Sequence, residues 1–83
     1  MQVEDNGRHH LLSVEIQSTY HGVNQRLDSL SRLQQVRLVA LRRDGINIDH
    51  PPGNSLLQDK DVLIIEGAVD DLRAAEIEIM SGL

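Results

Sequence analysis

The segment VRLVALRRDGINI, residues 36–48, is typical of two β-strands joined by a tight turn. Residues 38–41 are all apolar, so both faces of the first strand carry apolar side chains, which indicates a strand in the interior of a sheet. Asp44-Gly45 follows directly, and Asp-Gly between apolar runs is the strongest short signal for a hairpin. We therefore expect an antiparallel hairpin with a short return strand.

Regular structure is also predicted on both sides of this hairpin. Residues 12–16 alternate between apolar and polar, as in a half-buried strand, and residues 62–66 are nearly all apolar, as in a second interior strand. Apolar residues recur at spacings of four, three and three over residues 23–33, which predicts an amphipathic helix of about three turns. A closing helix is expected after Gly67, with carboxylates in its first turn.

These elements predict an α+β fold, with a small and mostly antiparallel sheet and two helices in the order strand-helix-strand-strand-strand-helix. Residues 1–10 are polar and are predicted to form a tail or linker, while residues 11–83 form one domain. The chain of 83 residues contains no Cys, Phe or Trp, so its core must be aliphatic and lean. A core of this kind is often completed by a partner surface, which favours a homodimer.

Composition argues against several classes of function. The net charge of −5 disfavours nucleic-acid partners, and no apolar run approaches the length of about 20 residues that spans a bilayer. The four histidines lack the spacing of a helical zinc pair, so we expect no metal site. No nucleophile-elbow motif occurs, and a chain this small offers little room for a catalytic pocket, so we expect no enzyme activity. These features together predict a cytoplasmic, non-enzymatic chain.

A series of markers along the chain resembles the C-terminal domain of RCK proteins, also called TrkA-C. They are a Ser and a Gly before the first helix, an apolar strand that ends in Arg and a Gly turn, a Pro loop, a Leu, and an apolar strand between Asp and Gly: Ser18, Gly22, residues 39–45, Pro51, Leu57 and residues 61–67. Each marker alone is common, but their order over most of the chain is more specific. Lys60 is a departure, because the family usually has Gly before this Asp. Lys is strained there if the position needs a positive φ.

The resemblance implies a cytoplasmic regulatory and dimerisation domain of a potassium or cation transport protein. The parent protein would be a channel, an uptake subunit or an antiporter, with a membrane domain or a Rossmann-like RCK half as the partner of this domain. The resemblance implies no cofactor, but some family members bind a regulatory ligand, including cyclic di-AMP, in the dimer cleft. Two alternatives remain open, namely a purely structural dimerisation module and a sensor module of a non-potassium transporter.

The family's ligand position, carried onto this sequence, predicts binding by Arg32, Arg37 and the loop His50-Pro51-Pro52. Arg32 matches with an offset of one residue, and Arg37 stands where a smaller amide is common. Guanidinium groups suit phosphate because their planar fork can bind two oxygens at once. His50 could donate a hydrogen bond to an adenine or a phosphate. Each of these residues also fits a plain reading as an exposed surface residue.

Overall fold

The computed structural model describes residues 9–83, so residues 1–8 of the predicted tail lie outside the described residues. Four strands form one antiparallel sheet in the order β1-β4-β2-β3, with bounds β1 (His10–Glu15), β2 (Arg37–Arg43), β3 (Ile46–Asp49) and β4 (Val62–Gly67). The α-helix α1 (Val69–Ser81) and two short 3-10 helices, Leu27–Ser29 and Ser31–Gln35, contribute buried side chains to the core formed with the sheet. The prediction of an α+β fold with an antiparallel sheet is confirmed.

The core is aliphatic and lies between the sheet and the helical segments. In the sheet, Val14 of β1 and Leu41 of β2 pair with Leu63 of β4 from its two sides, so the three side chains share one face. The helical segments cover that face with apolar side chains that are at most 5% exposed: Leu27, Leu30, Leu33, Leu72, Ala75 and Ile79. The opposite face of the sheet carries no helix or strand of the described chain.

The first part of the predicted hairpin contains a β-bulge. Leu38 pairs with Ile65 and Ala40 pairs with Ile64, so Val39 is the extra residue in β2. A bulge of this kind breaks the simple alternation of side chains along a strand. The strand nevertheless lies between β4 and β3, which confirms that it is interior.

The turn of the hairpin has the geometry that its sequence predicts. Asp44 and Gly45 have φ values of 54° and 78°, and positive φ at both central residues is the requirement of a type I′ turn. Arg43 then pairs with Ile46, and β3 continues along β2 to Asp49. The hairpin prediction is confirmed.

The predicted amphipathic helix over residues 23–33 is wrong. The segment instead forms two 3-10 helices separated by Leu30, whose φ of −93° and ψ of 102° are extended. The apolar pattern was informative about burial, because Leu27, Leu30 and Leu33 are all buried. Their spacing of three residues, however, matches the 3-10 repeat as well as it matches an α-helix. Residues 9–83 therefore contain one α-helix where two helices were predicted, and the order of elements differs from the predicted one.

Tertiary hydrogen bonds explain why this segment does not become an α-helix. The backbone N–H groups of Asn24, Leu27 and Asp28 donate to the carbonyl groups of Leu57, Ser55 and Gly53, at 2.7, 2.9 and 2.8 Å. An N–H group that donates to another segment is not free to bond four residues back along its own chain. Carbonyl groups of residues 53–57 thus accept the hydrogen bonds that carbonyl groups of the expected helix would have accepted.

A buried ion pair joins the ends of several strands. The Asp61 carboxylate is 1% exposed and accepts hydrogen bonds from Arg43 Nε and Nη2 at 2.9 and 2.8 Å. It also accepts from the Gln58 N–H at 2.8 Å, and Arg43 Nη2 donates to the Leu56 carbonyl at 2.8 Å. The backbone carbonyl of Asp61 accepts from the Ile16 N–H at 2.7 Å, just after β1. Through its side chain and its backbone carbonyl, this one residue therefore connects the ends of β1 and β2 to the start of β4.

We predict that Asp61→Ala lowers the free energy of unfolding by roughly 3 kcal/mol, because the substitution leaves the Arg43 guanidinium without its buried partner. Urea denaturation at one protein concentration measures the change. Asp59→Ala in the same turn is the control, since Asp59 is exposed, and it should change stability by less than about 0.5 kcal/mol. A loss for Asp61→Ala no larger than that of the control would contradict the prediction.

Lys60 has a φ of 74°, so the strained conformation anticipated for this position is present. We predict that Lys60→Gly stabilises the domain by a few tenths to ~1 kcal/mol, because glycine adopts this conformation without steric cost. Asp59→Gly is the matched control, because Asp59 is not among the residues with positive φ. This substitution should destabilise the domain, since glycine raises the conformational entropy of the unfolded chain. Thermal denaturation that gave both glycine variants the same shift would overturn this explanation.

Candidate functional site

Arg37 and Glu66 face each other across the uncovered side of the sheet. They are directly paired in the register of β2 and β4, and Arg37 Nη1 donates to Glu66 Oε1 at 3.3 Å. The Arg37 side chain is 63% exposed and that of Glu66 is 29% exposed. The contact is a single long hydrogen bond, and a pair of this kind contributes little to stability in water.

Both side chains line a groove at the end of the sheet where β2 begins and β4 ends. The groove has a volume of about 530 Å³. Its other walls come from the residues before β1 and β2, the end of β4 and the first turn of α1: His9, Gln35, Gly67, Ala68 and Asp71. The groove therefore presents one guanidinium, two carboxylates, the imidazole of His9 and the side-chain amide of Gln35. Of the five predicted ligand-binding residues, Arg37 is the one that lines it.

The loop His50-Pro51-Pro52 lies at the same end of the sheet as Arg37. β3 runs antiparallel to β2, so the end of β3 lies beside the beginning of β2, and the His50 N–H donates to the Val39 carbonyl at 3.0 Å. Pro51 is buried, whereas His50 and Pro52 are exposed. His50 has a φ of 47°, which is uncommon for a residue other than glycine. The structure thus brings this loop and Arg37 to one end of the domain.

Arg32 lies apart from this group. It belongs to the second 3-10 helix, whose first N–H groups are held by the Glu78 carboxylate: Arg32 N–H donates at 2.6 Å and Ser31 N–H at 3.2 Å. Glu78 therefore caps this helix from the far half of α1. It lies nine residues beyond Val69, about 14 Å along the helix axis from the α1 terminus that borders the groove. Arg32 is not among the residues that line the groove with Arg37.

The other arginines that cluster in the sequence have partners in the described chain. Arg26 forms an exposed ion pair with Asp28 at 2.7 Å, and Arg42 Nε donates to Asn47 Oδ1 at 3.0 Å. The hydrogen bond from Arg26 lowers the pKa of Asp28 below its usual value. Hydrogen bonding to Asp61 likewise raises the pKa of Arg43. The local density of arginines in the sequence therefore does not translate into one basic surface.

Sequence reasoning missed the acidic residues that hold the arginines. Glu66 and Glu78 carried no motif, and each becomes important through a residue at least 29 positions away. Asp61 carried a signal, because it is the Asp of the family-like turn, but nothing in the sequence indicated that its carboxylate is buried. Knowledge of which strands pair would have identified Glu66. Arg37 lies near the start of one predicted strand and Glu66 lies at the end of another, so antiparallel pairing of the two strands brings them together.

A second groove lies between β1 and α1 and has a volume of about 210 Å³. Its walls are mainly apolar, with charged groups from α1 at the rim: His10, Leu11, Leu12, Val69, Leu72, Arg73 and Glu76. None of the predicted ligand-binding residues lines this groove. Across residues 9–83, no three His, Asp or Glu side chains are grouped in a way that could hold a metal ion. No helix in that range is both long and apolar enough to cross a membrane.

Residues 9–83 form a small α+β domain, in which one α-helix and two 3-10 helices pack against a four-stranded antiparallel sheet. Solved structures identify the class of this domain. The chain is similar to the RCK C-terminal domain of the potassium transport protein KtrA, solved in complex with cyclic di-AMP. The TM-score is 0.73 at 25% sequence identity, over 86% of this chain and 84% of the KtrA chain. The resemblance to RCK C-terminal domains is therefore confirmed.

Two structures of the protein BusR from S. agalactiae have the same fold. The first is a dimer of its RCK_C domain with cyclic di-AMP, with a TM-score of 0.67 and 15% identity over 83% of this chain and 86% of that one. The second is BusR bound to its busAB promotor DNA, with a TM-score of 0.66 and 14% identity over 95% of this chain and 38% of the BusR chain. No family profile matches the sequence, and no curated protein matches it.

Proposed function

We propose that this chain is a cytoplasmic regulatory and dimerisation domain of a potassium or cation transport protein, and that it senses a small anionic ligand in the dimer cleft. The observation that carries the proposal is the similarity to the KtrA domain that binds cyclic di-AMP, at a TM-score of 0.73 over most of both chains. Channels, uptake subunits and antiporters all remain within this proposal. The domain regulates and does not catalyse.

Arg37 and the loop His50-Pro51-Pro52 are the proposed ligand contacts within one subunit. The support is their position at one end of the sheet, together with the exposure of Arg37, His50 and Pro52. Arg32 does not line the groove with Arg37, so we propose that it contacts the ligand from the partner subunit. Binding by both subunits would favour one relative orientation of the two, and through it one state of the attached transporter.

A role in transcriptional regulation is the second candidate. BusR, whose RCK_C domain shares this fold, is found bound to promotor DNA, so the prediction that excluded nucleic acid is at odds with a structural relative. The similarity covers 38% of that BusR chain. In this alternative the same ligand-sensing domain would serve a DNA-binding regulator in place of a membrane protein. A purely structural dimerisation module and a sensor module of a non-potassium transporter are the remaining alternatives.

We predict that the chain is a dimer at micromolar concentration. The lean aliphatic core leaves Leu11, Ile46 and Leu56 exposed by 66%, 67% and 45%, which is apolar surface that a partner subunit can cover. Sedimentation equilibrium should give about twice the monomer mass of 9.3 kDa. A monomer that persists at high concentration would remove the dimer cleft and with it the proposed site.

We predict that cyclic di-AMP binds the dimer and that Arg37→Ala weakens binding by tenfold or more, since a charge-assisted hydrogen bond contributes roughly 1.5–3 kcal/mol. Isothermal titration calorimetry measures both affinities. Arg42→Ala is the matched control, because Arg42 is also an exposed arginine of β2 but lies at the other end of the strand. Its affinity should stay within about twofold of the parent chain.

The affinity should also fall as salt is added, because the site is an open groove in which ions screen the phosphate charge. Absence of heat and of any thermal shift with cyclic di-AMP would favour the structural dimerisation module. Binding that is equally strong in the Arg37→Ala and Arg42→Ala proteins would keep the sensor function and reject this site.

A further inference from the structure

We infer that Glu66 is a built-in competitor of the ligand for Arg37, so that the carboxylate sets the affinity of the groove; this inference rests on the proposed function. The two side chains are direct cross-strand neighbours, with Arg37 Nη1 and Glu66 Oε1 at 3.3 Å. Direct neighbours in an antiparallel pair have Cβ atoms about 5 Å apart, so the backbone keeps the carboxylate beside the guanidinium. A phosphate that reaches Arg37 must displace Glu66 or share the guanidinium with it.

The structure contains a second arginine–carboxylate pair that shows how weak the first one is. Arg43 meets Asp61 through two hydrogen bonds of 2.9 and 2.8 Å, and that carboxylate is 1% exposed. Arg37 meets Glu66 through one contact of 3.3 Å, and its own side chain is 63% exposed. Two-point geometry and burial make a pair hard to open, and the Arg37–Glu66 pair has neither. It is therefore a pair that an incoming phosphate can open.

The charge balance of the groove points in the same direction. Glu66 and Asp71 both line it beside the single guanidinium of Arg37. An anion that enters therefore meets two carboxylates as well as one arginine, and like charges at close range oppose binding. Repulsion of this kind acts with or without Arg37, and Asp71 exerts it as well, whereas competition for the guanidinium requires Arg37. The two carboxylates of the groove thus weaken its binding of an anion.

The test is a double-mutant cycle on cyclic di-AMP affinity, measured by calorimetry on the whole chain. Glu66→Gln keeps the size and removes the charge, and it should tighten binding about two- to fivefold, the range that an exposed ion pair corresponds to. Arg37→Ala should weaken binding. The double variant Arg37→Ala/Glu66→Gln should match Arg37→Ala, because Glu66 acts through Arg37.

Asp71→Asn is the matched control. Asp71 loses the same charge in the same groove, but it forms no ion pair with Arg37 in the described chain. Its effect should be clearly smaller than that of Glu66→Gln. Thermal denaturation of each variant without ligand checks that all remain folded, since both Glu66 and Asp71 lie at the surface.

The remaining outcomes overturn the inference, and they distinguish its failure from a failure of the proposed function. If the parent chain binds and Arg37→Ala weakens binding, but Glu66→Gln changes nothing, the competition is absent while the proposed function stands. If Glu66→Gln tightens binding equally with and without Arg37, or if Asp71→Asn tightens it as much, Glu66 acts by general repulsion. If no variant binds, the proposed ligand function fails, and the inference fails with it.

Discussion

The buried pair between Arg43 and Asp61 is the constraint on which the arrangement of this domain depends. Its two hydrogen bonds of 2.9 and 2.8 Å join the end of β2 to the residue before β4, and the same Asp61 receives the Ile16 N–H just after β1. A carboxylate that is 1% exposed has lost its contacts with water and needs hydrogen-bond partners within the protein. The ends of β1 and β2 and the turn before β4 must therefore be arranged so that the Asp61 carboxylate keeps its hydrogen bonds. The strained φ of Lys60 is a consequence of that arrangement, because its N–H also bonds to the Ile16 carbonyl.

The two ends of β2 differ in how their arginines are bound. The end with Arg43 is called the closed end, and the end with Arg37 is called the open end. At the closed end, Arg43 is occupied by a buried carboxylate and by the Leu56 carbonyl. At the open end, Arg37 is mostly exposed and has one weak partner, Glu66. The two arginines belong to the same strand and have the same chemistry, yet one holds a buried carboxylate and the other remains mostly exposed. The difference comes from burial, because only a desolvated pair with two-point geometry resists displacement.

The segment between β1 and β2 shows how far the sequence pattern could be followed. Its leucines at positions 27, 30 and 33 are all buried, as the pattern indicated, but the backbone is not α-helical. Spacing along the chain reports which side chains face the core, and a three-residue spacing is shared by α and 3-10 helices. The choice between them was made by hydrogen bonds to residues 53–57 and by the Glu78 carboxylate, which lie far away in the sequence.

Local sequence alone determined the hairpin, the interior strands, the closing helix and the aliphatic core of this protein. These features depend on neighbouring residues: positive φ at Asp44-Gly45, alternation or continuity of apolar side chains, and carboxylates at the start of α1. The order of such features was enough to predict the RCK C-terminal fold. Only the tertiary structure decided which charges meet, namely Asp61 with Arg43, Glu66 with Arg37, and Glu78 with the second 3-10 helix. Electrostatic pairing depends on distance in space and on burial, and neither is encoded in the spacing of residues along the chain.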